Sequence, residues 1–237
     1  MSGRRAAAAA LALAIAACTT TPRPADRAPE HPQNASVIEL SGAIKADADR
    51  SEHASDARVR SELAIQADQA AQDCLALAPA SAACLYGSAI SLGLQARAHP
   101  ARANDFLGRM LDALSKAEAA DPTYDEAGPA RVRALVLIRA PGWPLGPGDP
   151  EAGLAAARRA LALRPQYPPN LLAFAESLAK TGDAHGSHDY YSRARDVARA
   201  LPPSSERQDW LHEADQALAH EADQTLSHEA DEAVRDD

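Results

Sequence analysis

Three cysteines supply the thiols through which this 237-residue chain could do covalent chemistry. Cys74 and Cys84 lie five residues on either side of Pro79, a residue type that interrupts helices. If Pro79 marks the turn of a helical hairpin, the two thiols face each other across it, and we predict a structural disulfide. A metal site would need more ligands than two thiols. In an oxidising compartment the disulfide would stabilise the fold by roughly 2–3 kcal/mol.

The third cysteine, Cys18, follows a predicted secretion signal. Two arginines precede an apolar run that is too short to span a bilayer. The small residues before Cys18 resemble a bacterial lipobox, which implies that Cys18 becomes the lipidated first residue of the mature chain. Ordinary cleavage near Ala17 would leave a free thiol instead. The residue after the cysteine, Thr19, is similar to the one found in lipoproteins that are sent to the outer membrane. We therefore predict a signal peptide over residues 1–17.

Residues 18–36 are predicted to form a tether between the lipid and the folded body. The segment after Cys18 contains four prolines and lacks large apolar residues, a composition typical of extended linkers. No later run in the sequence reaches 18 apolar residues, so the lipid at Cys18 is the expected attachment. The predicted location is the periplasmic face of the outer membrane.

A second candidate for chemistry is the group His185, His188 and Asp189, which would lie within about one turn of a helix. Histidines at positions i and i+3 share a helix face and could bind a metal ion. No further cluster of ligands accompanies them in the sequence, so we predict neither a metal nor a cofactor. A metal-dependent activity built on these histidines is the alternative.

The sequence lacks the common catalytic motifs. The sequence has no Gly-x-Ser-x-Gly motif, no glycine-rich phosphate loop and no cysteine with an evident histidine partner. The prediction is therefore that the protein has no catalytic residues and is not an enzyme.

The charge of the chain is concentrated at its C-terminal end. The formal net charge is −9, and residues 204–237, with 11 acidic and 2 basic side chains, account for all of it. Such a chain lacks the basic face that non-specific binding of nucleic acid requires. The sequence His-Glu-Ala-Asp begins at residues 212, 220 and 228 without forming a His-Glu-x-x-His zinc motif. We predict that residues 216–237 are an acidic extension, either a solvated helix or a frayed tail.

The elements that position these groups are predicted to be helices. Alanine makes up about a quarter of the chain and aromatic residues only 4%, which favours helices over sheets. Pro79, Pro122 and Pro165 recur at intervals of 43 residues, and small or apolar residues recur at fixed distances from them. Self-similarity of this period is typical of a helical-hairpin solenoid.

The last unit of the repeat is the clearest. Leu171, Phe174 and Leu178 form the apolar stripe of one helix. A turn follows at Gly182-Asp183, and Tyr191 marks the inward face of the next helix. This unit resembles a tetratricopeptide repeat (TPR), which has 34 residues.

A period of 43 residues exceeds the TPR length by nine. We predict that the extra residues lie in the links between paired helices, near residues 96–103 and 141–150. The predicted fold is all-α, a TPR-like α-α superhelix over residues 37–215, with about three repeats and flanking helices. Trp210 is expected in a final helix that covers the last apolar face.

The link at residues 139–150 reads RAPGWPLGPGDP. Its prolines and glycines forbid helix and stiffen the loop, and Asp149 is a good N-cap for the next helix. Trp143, Pro144 and Leu145 would then be held on a rigid loop as a contact for a partner or ligand. Alternatively, Trp143 and Leu145 fold back and cover the end of an alanine-rich helix pair.

Tyrosines form a further candidate binding surface. Tyr86 and Tyr167 could line a concave groove and contact a ligand there, and Tyr190 and Tyr191 could do the same. At helical spacing, however, aromatic residues are more often packed in the core or at the groove edge. Both interpretations stay open at this point.

Several of these segments together resemble one protein family. Gly128-Pro129, the loop over residues 139–149 and the run Tyr167–Leu172 are similar to segments of the T components of tripartite ATP-independent periplasmic (TRAP) transporters. The resemblance covers roughly residues 60–201. Asn170 lies in the third segment. We predict that it contacts a partner or ligand, together with Tyr86, Tyr167 and the loop residues.

The resemblance implies a periplasmic α-solenoid lipoprotein without catalytic activity. Its expected partner is the periplasmic solute-binding protein of the uptake system, and its groove or pore would accept a small organic ligand. The studied type is a homotrimer, so the resemblance also implies a homo-oligomer. The alternative function is a generic TPR scaffold for envelope assembly that is unrelated to transport.

Overall fold

In a computed structural model of the protein, the backbone is described for residues 35–235 and the side chains for residues 35–221. The predicted signal peptide, Cys18 and nearly all of the predicted tether lie outside these residues. The described helices are α1 (Val37–His53), α2 (Ala57–Leu77), α3 (Ala82–Ala98), α4 (Ala103–Ala120), α5 (Tyr124–Arg139), α6 (Pro150–Leu163), α7 (Pro168–Lys180), α8 (Ala184–Ala200) and α9 (Ser205–Arg235). None of the helices in this part of the chain has the length and apolarity that crossing a membrane requires.

The helices pack as adjacent pairs in two layers. The pairs are α1 with α2, α3 with α4, α5 with α6, and α7 with α8, and α9 packs on α7 and α8. Each odd-numbered helix also contacts the next odd-numbered helix, whereas the described even-numbered helices do not contact one another. Over the described residues, the predicted all-α helical-hairpin solenoid is confirmed, with four pairs and a final covering helix.

The 43-residue repeat fixes where helices end. Helix α2 ends at Leu77, α4 at Ala120 and α6 at Leu163, and in each case the repeated proline lies two residues further on. Because proline lacks a backbone N–H group and clashes with a preceding helical turn, it prevents the helix from continuing. The period ends there, since α8 stops at Ala200.

The extra residues of the repeat are distributed differently from the prediction. In the first link, Ala96 is buried inside α3, and only residues 99–102 separate α3 from α4. Helix α3 has 17 residues and α7 has 13, so part of the extra length extends a helix. In the second link, residues 140–149 are outside helices as predicted.

Short sequence signals set the helix ends. At the start of α1, Ser36 and Glu39 form a reciprocal capping box. Asp149 and Asp183 cap α6 and α8 by accepting hydrogen bonds from backbone N–H groups. After α7, Gly182 adopts a φ of 90°, and the Asp183 N–H donates to the Leu178 carbonyl at 2.9 Å. This is a Schellman ending, in which glycine adopts a left-handed conformation without strain.

The core is built mainly from alanine. Fully buried alanines lie at the contacts between helices, and they include Ala64, Ala67, Ala70, Ala117, Ala130, Ala134, Ala156, Ala157 and Ala160. Because an alanine side chain is a single methyl group, helices that meet through alanines approach closely and still fill the space between them. The sparse large residues, such as Leu114 and Leu171, are also fully buried and belong to the apolar clusters between helices.

Helix α9 covers the last pair, as predicted. Trp210 packs against the cluster that includes Leu171 and Tyr191, and Ala214 and Leu218 are buried in the same cluster. The helix is continuous across residue 215, where the sequence predicted the folded domain to end. Leu218 still belongs to the core, so the folded domain continues past that boundary.

Candidate functional site

The predicted disulfide is present at the first junction of the repeat. Cys74 near the end of α2 and Cys84 near the start of α3 are bonded, with their Cα atoms 5.3 Å apart. Both side chains are fully buried. The bond joins the two helices around Pro79 and lies in the core, so its role is structural.

Two adjoining cavities occupy the groove along the odd-numbered helices. The first, which we call the apolar cavity, has a volume of ≈ 420 Å³. Its apolar and aromatic lining residues include Ile38, Ile44, Ala48, Tyr86, Ile90 and Tyr124. The second, which we call the acidic cavity, has a volume of ≈ 530 Å³ and reaches α9. Its carboxylates are Asp49, Glu52, Asp125, Glu206, Asp209 and Glu213.

The wall that the two cavities share contains an unusual backbone turn at the start of α5. Asp125, Glu126 and Ala127 have positive φ angles of 49°, 55° and 65°. Residues with a Cβ atom adopt this left-handed conformation at a cost of about 1 kcal/mol or more each. Three in succession persist only where surrounding contacts hold them. Gly128-Pro129, which carries part of the family resemblance, follows directly.

Arg131 is the main contact that holds this turn. Its guanidinium donates to the backbone carbonyls of Asp125 and Glu126, both at 3.2 Å, and to Asp125 Oδ2 at 3.0 Å. It also donates to Asn170 Oδ1 on α7 at 3.1 Å. Arg131 is only 8% exposed, and a buried guanidinium requires such partners because its desolvation is costly.

Asn170 completes the same network from α7. Its side chain is fully buried, and Nδ2 lies 3.0 Å from the Glu126 carbonyl, 3.2 Å from the Ala160 carbonyl and 3.3 Å from the Arg164 carbonyl. Asn170 was predicted as a contact for a partner or ligand. That prediction is wrong for this side chain, because its oxygen and nitrogen atoms are both engaged inside the protein.

Tyr86 connects the turn to α3. Its hydroxyl donates to Asp125 Oδ2 at 3.0 Å, and its ring meets Tyr124 edge-on at 5.5 Å between centroids. Burial raises the pKa of Tyr86 well above its ordinary value of 10, so the hydroxyl remains a neutral donor. A Cβ atom at Gly128 would lie 2.8 Å from the Tyr86 hydroxyl oxygen, and glycine is therefore needed there. The Tyr86 ring packs against Tyr124 and also lines the apolar cavity. The sequence offered these two interpretations as alternatives, and both apply to this residue.

Tyr167 and Trp210 form an aromatic wall of the acidic cavity. Their rings meet edge-on with centroids 5.6 Å apart. The Arg131 guanidinium carbon lies 5.2 Å from the centre of the Tyr167 ring, at cation–π distance. Tyr167 therefore lines the groove, and one of its contacts is to the residue that holds the left-handed turn.

The cations of the acidic cavity are already paired. Arg139 makes a bidentate ion pair with Glu176, with Nη2 2.6 Å from Oε2 and Nε 2.9 Å from Oε1, and Nη2 lies 3.7 Å from Glu213. Lys45 on α1 lies 3.8 Å from Glu206 on α9. These pairs leave surplus negative charge in the cavity.

Two groups that line the acidic cavity have a raised pKa. A hydrogen bond to the Asp49 carbonyl, together with the charges of Asp209, Glu52 and Asp49, raises the pKa of His53. Partial burial raises the pKa of Glu213, and the nearby Glu176 and Glu52 carboxylates add to the effect. Both shifts favour the protonated form, as a negative potential does.

The loop over residues 140–149 is fixed in place but presents its large side chains to solvent. The Gly148 N–H donates to the Pro141 carbonyl at 2.8 Å, and Asn104 donates to the Leu145 carbonyl. Trp143 is 90% exposed and Leu145 is 72% exposed. The alternative that these two side chains cover the end of a helix pair is therefore wrong. A contact role for Trp143, Pro144 and Leu145 stays a prediction.

The histidines of α8 are exposed and have carboxylate neighbours. His185 Nε2 lies 3.6 Å from Asp189 on the same helix, and His188 Nδ1 lies 3.3 Å from Glu221 on α9. Within the described side chains, no group of three or more histidine, cysteine or acidic residues could hold a metal ion. The contact between His188 and Glu221 instead joins α8 to α9.

No protein-family model matches this chain, and no curated protein matches it either. The family resemblance therefore rests on the motifs in the sequence. The groove adds residues that the sequence reasoning missed, above all Asp125, Arg131 and Lys45. A signal for the turn existed in the Gly128-Pro129 pair, which lies near the start of α5, but the sequence did not indicate that Arg131 would hold it.

Proposed function

We propose that the protein is a non-catalytic periplasmic lipoprotein scaffold that acts as the T component of a TRAP-type uptake system. It binds the solute-binding protein of that system, a small organic ligand, or both. The N-terminal lipobox-like sequence supports an anchor at the outer membrane. The TPR-like sequence pattern supports a scaffold, because stacked helical hairpins present extended surfaces for binding.

The observation that carries the proposal is the exposed loop between α5 and α6. Trp143 and Leu145 are large apolar side chains that lie almost entirely in solvent, although three prolines and several backbone hydrogen bonds fix the loop. A tryptophan on a loop whose backbone is already fixed loses less conformational entropy when a partner covers it than one on a mobile loop. Such a residue is well suited to anchor a protein partner.

The positions of the resembling motifs also support the proposal. Gly128-Pro129 follows the left-handed turn in the groove wall, residues 139–149 include the exposed loop, and Tyr167 lines the acidic cavity. All three motifs thus coincide with either the groove or the loop, which are the two surfaces that a binding function would use.

Crosslinking in intact cells tests the proposal. The protein is crosslinked, purified by affinity and analysed by mass spectrometry, in the original form and as Trp143→Ala. We expect a periplasmic solute-binding protein to be recovered, and its recovery to fall at least fivefold with Trp143→Ala. Ile65→Ala, at a half-exposed apolar residue of α2, is the matched control and should leave recovery unchanged. Recovery of envelope-assembly proteins instead would favour the generic TPR scaffold.

A further inference from the structure

The groove offers two different environments that meet at one wall. Lys45, Asp49 and Asp125 line both cavities. On one side of them lie the aliphatic side chains of α1 and α3, including Ile44 and Ile90. On the other side lie the carboxylates of α1, α5 and α9. A ligand that fills both cavities must therefore be amphipathic, with an apolar part and a charged or polar head.

Asp125 supplies a specific acceptor at the shared wall. Its contacts with the Tyr86 hydroxyl and with Arg131 Nη2 are both made by Oδ2, each at 3.0 Å. Within the described residues, no hydrogen bond reaches Oδ1. The side chain is 30% exposed and lines both cavities, and Oδ1 is its oxygen without a protein donor among the described residues. The left-handed turn and Arg131 hold this carboxylate in a fixed position before any ligand arrives, which lowers the entropy cost of binding.

The sign of the remaining charge selects the ligand. Each of the three strong cations in the groove already has a carboxylate partner: Lys45 has Glu206, Arg131 has Asp125, and Arg139 has Glu176. Among the described residues, by contrast, Asp49, Glu52 and Asp209 form no ion pair. An incoming anion would have to displace an existing partner and approach these carboxylates, whereas a cation would neutralise them.

We propose that the groove binds an amphipathic organic cation, with its apolar part in the apolar cavity beside Ile44 and Ile90. Its ammonium group lies at the shared wall, where Asp125 Oδ1 accepts a hydrogen bond and Asp49, which forms no ion pair among the described residues, supplies negative charge. This inference deepens the ligand-binding part of the proposed function. It does not depend on the contact between the Trp143 loop and a solute-binding protein.

The test compares three probes of equal chain length: hexylammonium, hexanoate and hexan-1-ol. The protein is the full chain carrying Cys18→Ala, so that no lipid can be attached, and Trp143→Phe. Since the chain has two tryptophans, Trp210 in the wall of the acidic cavity is then the sole fluorescence reporter. Binding is measured by Trp210 fluorescence and by calorimetry at low ionic strength.

Hexylammonium is expected to bind with a dissociation constant in the millimolar range or below, as its size permits. Hexan-1-ol should bind at least tenfold more weakly, and hexanoate more weakly still. Binding of hexylammonium should also weaken as salt is added, because the attraction is partly electrostatic. Equal or tighter binding of hexanoate, equal binding of hexan-1-ol, or no binding of hexylammonium would overturn the proposal.

Two pairs of variants test whether hexylammonium binds in the groove. Asp125→Asn should weaken hexylammonium binding at least tenfold, whereas Asp112→Asn, an exposed aspartate of α4 outside both cavities, should not. Because Asp125 is itself part of the left-handed turn, Gly42→Leu provides a second test that leaves the turn unchanged. A Cβ atom at Gly42 meets no atom within 4 Å and lies at the wall of the apolar cavity, so a leucine there would occupy part of the cavity.

The matched control for Gly42→Leu is Gly108→Leu, since Gly108 is also helical and a Cβ atom there meets no neighbour within 4 Å. Both leucines should favour the folded state, because leucine suits a helix better than glycine. Gly42→Leu should abolish binding of hexylammonium and Gly108→Leu should leave it unchanged. Undiminished binding in Gly42→Leu would overturn the proposal.

The outcomes separate this inference from the proposed function. If a solute-binding protein is recovered by crosslinking but hexylammonium does not bind, the inference fails and the proposed partner stands. If hexylammonium binds in the manner described but no solute-binding protein is recovered, the groove ligand stands and the transport role fails.

Discussion

The α2–α3 and α6–α7 junctions occupy equivalent places in the repeat but are closed by different chemistry. Cys84 and Asn170 are two repeats apart, and so are Cys74 and Ala160. At the first junction a covalent bond joins the two positions. At the other, the Asn170 amide donates to the Ala160 carbonyl at 3.2 Å. The repeat therefore fixes where two helices must be joined, and the side chain chosen there decides how.

The α4–α5 junction lies between these two and has neither a disulfide nor an asparagine hydrogen bond at the equivalent positions. The equivalent residues are Ala117 and Ala127, whose methyl groups can form no bond of either kind. Here the backbone adopts the left-handed turn, and Arg131 and Asn170 hold it from two different helices. Because this turn also forms the wall of the groove, the stability of the middle junction is coupled to the shape of the candidate site.

Among the substitutions at these junctions, Asn170→Ala is expected to have the largest effect on stability. The change removes a partner from buried Arg131 and leaves three carbonyl groups without their amide donor. We expect the free energy of unfolding to fall by about 3 kcal/mol or more, measured by urea denaturation followed by circular dichroism. Asn104→Ala, at an exposed asparagine, should cost less than about 1 kcal/mol. Equal effects of the two substitutions would contradict the role given to the network.

Removal of the disulfide is expected to have the next largest effect. Its cysteines are only ten residues apart, so the bond restricts a short loop in the unfolded chain, and Cys74→Ala with Cys84→Ala should lower stability by about 2–3 kcal/mol. Reduction of the original protein should have a similar effect, and the double variant should be insensitive to reductant. If reduction leaves the denaturation midpoint unchanged, the first junction does not depend on its bond.

Gly128→Ala tests how tightly the middle junction is packed. The added methyl group would meet the Tyr86 hydroxyl and Asp125 Oδ2 within 3.0 Å, and we expect a loss of about 1–2 kcal/mol. Gly108→Ala, in open space on α4, should instead stabilise the protein by about 0.5–1 kcal/mol. A stabilising effect of both substitutions would show that the middle junction has room to adjust.

The smallest expected effect is that of Tyr86→Phe, which should lower the free energy of unfolding by about 1 kcal/mol near neutral pH, since one hydrogen bond to Asp125 is lost.

The pH dependence of stability is a more informative test of Tyr86. Burial raises the pKa of Tyr86 above 10, so above about pH 10 the folded protein keeps a proton that the unfolded chain releases. Stability therefore declines as pH rises through this range. The decline should be shallower in Tyr86→Phe, and identical slopes in urea titrations at pH 9–11 would count against the burial of this hydroxyl.

The sequence predicted much of the fold because the relevant signals are local. The helix ends after Leu77, Ala120 and Leu163 follow from prolines that act on adjacent turns. The Cys74–Cys84 bond follows from two positions that are equally distant from one turn. The candidate site was predicted less well, since the sequence indicated Tyr86 and Tyr167 but assigned a ligand contact to Asn170, which the fold buries completely.

The sequence by itself determined where α2, α4 and α6 end and which two cysteines meet, because each of these depends on residues a few positions apart. The tertiary structure decided which side chains remain in solvent, as it did for Trp143, and which polar groups converge. Asn170 reaches Arg131 across 39 residues and Glu126 across 44. Such distant contacts depend on how separate helices pack, and neither composition nor periodicity specifies that packing at the level of a single hydrogen bond.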